Sequence, residues 1–127
     1  MASTDGTAPG EPGLRTLGEY LLQDPLKNSV RLLILLSLGM NRRLRFTELL
    51  ELTRVSKGSL SHHLDQLASA GLTRSRMVFT LGGPRVQVEI TPAGLAVYGR
   101  LTRTLAELSS APTPRGATPG SVAELSR

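Results

Sequence analysis

Between Thr47 and Ile90 the chain sets down two short helical segments around a three-residue break, then two β-rich runs. Few small folds accept that order at that spacing. Thr47 is placed to cap a helix over about 47–53. Arg54 and Val55 turn the chain, Ser56 caps a second helix over about 57–69, and Gly71 stops it. Residues 72–80 and 85–90 are β-rich, and Leu81-Gly82-Gly83-Pro84 reads as the glycine-rich tip of a hairpin joining them. Val86, Val88 and Ile90 alternate with Arg85, Gln87 and Glu89, the pattern of a half-buried strand. The first run is less regular, and its facing stays open. Leu44-Arg45-Phe46 offers a short strand ahead of the first helix.

Helices flank this unit. Leu14, Leu17 and Leu21 recur at helical spacing, which predicts a short amphipathic helix over 14–22. Asp24-Pro25 then reads as an N-cap with proline at the first helical position, opening a helix to about Leu38, before Gly39. From Leu32 to Leu38 that helix is apolar nearly all round, so it is expected at the domain centre or across a subunit interface. Thr91-Pro92 starts a last helix through Leu108. Its Leu95, Tyr98, Leu101, Leu105 and Leu108 follow one another at spacings of 3, 3, 4 and 3, a seam that suits another helix. Residues 1–13 and 109–127 are expected to be disordered tails around a domain over 14–108.

Helix, helix, short strand, helix, tight turn, helix, hairpin and helix describe an α+β, mostly helical fold. It is a winged helix-turn-helix: a three-helix core with a β-hairpin wing, plus N- and C-terminal dimerisation helices. On a helical wheel of the 57–69 segment, Leu60, Leu64 and Leu67 cluster within about 60° of one another and face the core. Gly58, His62, Asp65 and Ser69 lie opposite, with Ser59, Ser61 and Gln66 on the flanks. A short, polar, hydrogen-bonding face of small residues is what a helix entering the major groove needs.

Charge points the same way. Residues 1–24 hold four acids against Arg15, whereas residues 25–109 hold twelve Lys/Arg against five Asp/Glu, within a net charge of +5. A basic middle favours a polyanionic partner. Arg85 at the hairpin tip, with Arg74 and Arg76 on the neighbouring strand, suits a minor groove or its phosphates. Arg42, Arg43 and Arg45 fit phosphate contacts and edge-strand protection equally well.

Other chemistries find little support. With no cysteine in 127 residues, disulfide, thiolate-metal and Cys-nucleophile chemistry are excluded. His62 and His63 are adjacent on a helix, point about 100° apart and make a poor chelate, so no metal is expected. No phosphate loop, nucleophile elbow or spaced carboxylate pair is present, and neither an enzyme nor a cofactor is expected. The longest apolar run, 32–36, is too short for a membrane, and the start of the chain lacks a signal-peptide pattern, so a soluble cytoplasmic protein is expected.

Asp24-Pro25, Arg31 to Leu35 and Phe46-Thr47-Glu48-Leu49 resemble the opening of the winged-helix regulators near the MarR and ArsR families. Gly58 to Leu64, Leu67, Ala70-Gly71-Leu72, Gly83-Pro84-Arg85 and Ile90 to Gly94 continue the resemblance over about 20–105. It implies a homodimeric transcription regulator on a pseudo-palindromic operator of double-stranded DNA. Where such proteins often carry Asn and Arg on the reading helix, this chain has Ser59 and His62. The predicted DNA-binding set is Ser56, Lys57, Ser59, Ser61, His62, His63, Gln66, Arg74, Arg76 and Arg85. The predicted dimer interface is Leu14, Leu17, Leu21, Leu95, Tyr98, Leu101, Leu105 and Leu108. A small-molecule effector between the dimer helices is compatible, but no polar cluster marks its pocket. The alternative is a winged-helix protein-interaction module without DNA binding, for which an aromatic content of 3% supplies few anchors.

Overall fold

Capping side chains decide where three of the helices begin, and the computed structural model, which describes residues 11–110, shows all three in place. The elements are α1 (Glu11–Leu21), α2 (Ser29–Asn41), β1 (Arg43–Arg45), α3 (Phe46–Thr53), α4 (Lys57–Ser69), β2 (Thr73–Thr80), β3 (Gly83–Ile90) and α5 (Pro92–Ser110). Ser56 Oγ accepts the Ser59 N–H at 3.1 Å and fixes the start of α4 where the sequence predicts it. Thr91 Oγ1 accepts the Gly94 N–H at 3.0 Å and does the same for α5. Gly71, at φ +79°, lets the Leu72 N–H reach back to the Leu67 carbonyl at 3.0 Å and ends α4.

The third cap is a correction. The sequence predicts a helix from Asp24-Pro25, but these residues lie in a turn and α2 begins at Ser29. Asn28 Oδ1 accepts the N–H groups of Val30 and Arg31 at 2.9 and 3.2 Å. The turn seats Leu26 in the core, a tertiary contact that the local Asp-Pro signal does not contain. α2 also runs past Gly39 to Asn41, and Gly39 packs under the Tyr98 ring, where no Cβ would fit. α3 starts at Phe46, so Thr47 is inside it and is not its cap; Glu48 Oε1 instead accepts the Arg45 N–H at 2.7 Å. Residues 11–13 and 109–110, predicted as tail, are helical. Gly13 brings α1 close against Leu108 and Thr104 of α5, and that packing extends both helices. The rest of the predicted tails lies outside the described residues.

The strands form one antiparallel sheet in the order β1-β3-β2. In its register Leu44 faces Val88, Ser75 also faces Val88, and Phe79 faces Pro84. The hairpin turn is Leu81-Gly82, and Gly83 at φ +105° opens β3. Ile34, Leu35 and Leu38 of α2, Leu49 of α3, Leu60 and Leu67 of α4, and Val88 of β3 are fully buried together. α2 is therefore the central helix, as its all-round apolar stretch predicts. Leu101 is buried in the same core and Tyr98 packs against it. The α5 seam is thus occupied at Leu101 within the chain by α1 and α2, and Leu101 is removed from the predicted dimer interface.

Candidate nucleic-acid interface

Leu60, Leu64 and Leu67 root α4 in the core and leave Lys57, Gly58, Ser61, His62, Asp65, Gln66 and Ser69 exposed, with Ser59 half-buried. Lys57 is the only Lys or Arg on this helix, and Asp65 offsets it. The exposed face is therefore electrically near neutral: it offers hydroxyl, amide and imidazole groups rather than charge. Ser56 is exposed as well, but its Oγ is engaged as the cap. Ser61 and Asp65 face the hairpin across an open cleft of about 300 Å³ that Phe46, Leu64, Ser75 and Val86 complete.

His63 does not join that face. It is buried, and its Nδ1 accepts the Arg31 Nε–H at 3.0 Å. Burial, then the Arg31 charge, then that of His62 hold its pKa below the ordinary imidazole value of 6.5. On the wheel it sits only about 40° from Leu67, and the α2 side chain closes over it. The predicted DNA contact at His63 is thus corrected to a link between α2 and α4.

The hairpin differs from its sequence reading in one respect that matters. Successive strand residues face opposite ways, so the register separates two faces. Ser75, Met77, Phe79, Pro84 and Val86 continue the core-facing side toward α4, and beyond the core they are largely exposed. Arg74, Arg76, Arg85, Gln87 and Glu89 lie on the opposite side, together with Arg43 and Arg45 of β1. Arg74 and Arg76 therefore point away from α4. Glu89 is buried despite its place on this outer face: Arg74 Nε donates to Oε1 at 3.2 Å and Arg76 Nη1 to Oε2 at 3.1 Å. Burial alone would push the Glu89 carboxyl up, but hydrogen bonds and charge from the two arginines outweigh it and hold the group below the usual carboxylate range. The predicted in–out burial of β3 therefore fails at Glu89, which is buried, and it fails also at Val86, which lies beyond the core and is exposed. Arg85 lies at the tip, its Nη1 donating to the Pro84 carbonyl at 2.9 Å.

Sequence reasoning left Arg43 and Arg45 out of the predicted site. Only the β1–β3 pairing, which no spacing in the sequence reveals, brings them beside Gln87 and Glu89. Among the described residues no group of three His, Cys, Asp or Glu is placed to hold a metal ion. No helix there is long and apolar enough to cross a membrane.

Comparison with known proteins places this arrangement. A family model described as a winged helix DNA-binding domain matches residues 30–109, which span α2 to α5. The transcriptional regulator homologue protein from Pyrococcus horikoshii OT3 is similar in structure, at 26% identity and TM-score 0.63, over 77% of this chain and 94% of that one. A MarR-family transcriptional regulator from Silicibacter pomeroyi is 28% identical, with TM-score 0.54, over 92% of this chain and 75% of its own. A MarR mutant from E. coli, solved in complex with operator DNA, shares the fold at 24% identity and TM-score 0.61, over 91% of this chain and 81% of its own. No curated protein sequence matches. The match over most of the folded region, together with MarR-family regulators among the structural neighbours, shows that the chain belongs to the winged helix DNA-binding domain family.

Proposed function

We propose that the protein is a transcription regulator that binds double-stranded DNA as a dimer, with α4 in the major groove and the hairpin tip on the adjacent minor groove or its phosphates. One observation carries this reading: a Ser-capped helix is anchored by three core leucines and presents an unobstructed face of small hydrogen-bonding residues. Such a face discriminates by hydrogen bonds to base edges rather than by charge. The solved MarR–operator complex of the same fold supports the assignment. Sequence preference is expected to relax in Ser59→Ala and Gln66→Ala, and each base that is no longer read should cost about 1–3 kcal/mol of discrimination. Arg85→Ala should weaken binding to every duplex alike and lower the salt slope by about 1 for each protomer bound. Gel shifts with selected and random duplexes at two salt concentrations separate the two effects. Flat responses throughout would move the assignment to a protein-interaction module.

The dimer part of the reading rests on the paired helices α1 and α5. Leu14 is 61% and Leu105 50% exposed on them, and Leu22, just past α1, is exposed as well. Apolar side chains left in water along one helix pair suit a second copy. Leu14→Glu with Leu105→Glu should give a folded monomer, whereas Leu101→Glu should unfold the chain. Light scattering that finds the unsubstituted protein monomeric at tens of micromolar would remove the dimer.

A further inference from the structure

The arginines of this protein are concentrated where the proposed reading helix is not. On the outer face of the sheet, strand pairing aligns Arg43, Glu89 and Arg74 in one row across β1, β3 and β2. Arg45, Gln87 and Arg76 form the next row, and Arg85 stands beyond them toward the tip. Neighbouring strands are about 4.8 Å apart, so five guanidinium groups share a face with a single carboxylate. That carboxylate is only 12% exposed and lies beneath Arg74 and Arg76, whose own side chains are 63% and 58% exposed. Glu89 orients these two forks while most of each five-donor set stays available to an outside anion. Arg43, Arg45 and Arg85 have no acidic partner among the described residues.

We infer that this outer sheet face is a second phosphate-binding surface, which takes duplex backbone beyond the segment read by α4. The inference rests on the proposed function. The inner face of the hairpin looks at α4 across the Ser61–Asp65 cleft, so the outer face looks the other way, along the duplex and away from the read segment. α4 carries one lysine, so the cations that supply affinity for a polyanion have to come from elsewhere. The outer face supplies them at regular strand spacing. It offers Val78 as its one sizeable apolar side chain and no aromatic anchor, which suits a phosphate ladder better than a protein partner.

Arg43→Gln with Arg45→Gln is the clean test, because neither side chain is held in an ion pair. Binding of the full chain is measured against salt on two duplexes. One covers two half-sites, roughly 16 base pairs, and the other extends it by one helical turn, about 10 base pairs, at each end. The double variant should lower the salt slope by about 3.6 on the long duplex, about 0.9 for each of the two phosphates that either protomer of the dimer no longer neutralises, and leave the short duplex unchanged. A slope that falls on both duplexes, or on neither, overturns the inference. Poly-glutamate is the competing probe: if the variant loses poly-glutamate binding while its duplex binding is untouched, the face belongs to an acidic protein and the inference is overturned. Wild-type protein that binds neither duplex defeats the proposed function and this inference together. Relaxed preference in Ser59→Ala and Gln66→Ala with no effect of the Arg43/Arg45 change defeats this inference alone. Thermal melts of the variant confirm that the fold is intact.

Discussion

Gly94→Ala is expected to destabilise the protein by about 3 kcal/mol, the upper end of what overpacking costs in a filled core. Gly94 lies in the first turn of α5 and is buried. A Cβ there would run into the Leu72 carbonyl oxygen and come within 2.7 Å of Ile90 Cγ1. The carbonyl cannot retreat easily, because it already accepts the Thr91 N–H at 3.0 Å and so ties the end of the sheet to the start of α5. Ile90 is held by its pairing with Thr73. The added methyl must therefore lift α5 off the hairpin base, and the Thr91 cap would go with it. In a domain of this size such a destabilisation lowers the melting temperature by on the order of 15 °C. Gly58→Ala is the matched control: a Cβ on Gly58 meets nothing within 4 Å, and better helix propensity should leave stability equal or raised by up to about 1 kcal/mol. A Gly94→Ala protein melting within about 2 °C of the parent would show that the helix has room the geometry does not indicate.

Helix α4 and its anchor are legible in the sequence because every signal for them is local. Ser56 before it, leucines at 60, 64 and 67 within it and Gly71 after it act within a turn or two of chain. The start of α2 is not legible, for a complementary reason. Asp24-Pro25 and Asn28 are both competent helix starts, and the choice between them is made by Leu26 entering the core. Leu101 misleads in the same way: a seam of leucines on a helix has one spacing whether its partner is another subunit or the chain's own α1 and α2. In the candidate site, residue types are easier to find than their directions. Arg74 and Arg76 are recognisable as cations of the wing, but which way they point depends on the register of an irregular strand. Pairing with β3 settles that register and turns them outward. Glu89 is on the outer face, as alternation requires, yet it is buried because two arginines fold over it, a tertiary event with no trace in spacing.

His63 and Arg31 give the second large effect, one that depends on pH. Arg31 is 11% exposed on its side chain. It donates Nε–H to His63 Nδ1, and its Nη1 lies 3.5 Å from the Pro25 carbonyl and 3.6 Å from Asp24 Oδ1. One guanidinium thus joins α2, the turn before it and α4. An Nδ1 that accepts a hydrogen bond carries no proton, so His63 is neutral with its hydrogen on Nε2. Protonation would aim an N–H at a guanidinium and set a second positive charge beside that of Arg31, whose Nη1 faces the only acid it is paired with among the described residues, Asp24. The folded chain therefore takes up its proton below the ordinary value of 6.5, while the unfolded chain takes it up near that value. Stability from this group is fully present above about pH 7 and is lost as pH falls from 6.5 through the folded-state pKa. Urea midpoints measured from about pH 8 to about pH 5 should hold steady and then fall on the acid side. His63→Gln retains an oxygen able to accept from Arg31 at every pH and should flatten that acid limb. Arg31→Ala strands a buried acceptor and should cost about 2 kcal/mol even at neutral pH, where His63→Gln costs less. An acid limb that survives unchanged in the glutamine variant would place the titrating group elsewhere. If it disappears, the hydrogen bond that seats α4 on α2 is also the contact that acid loosens.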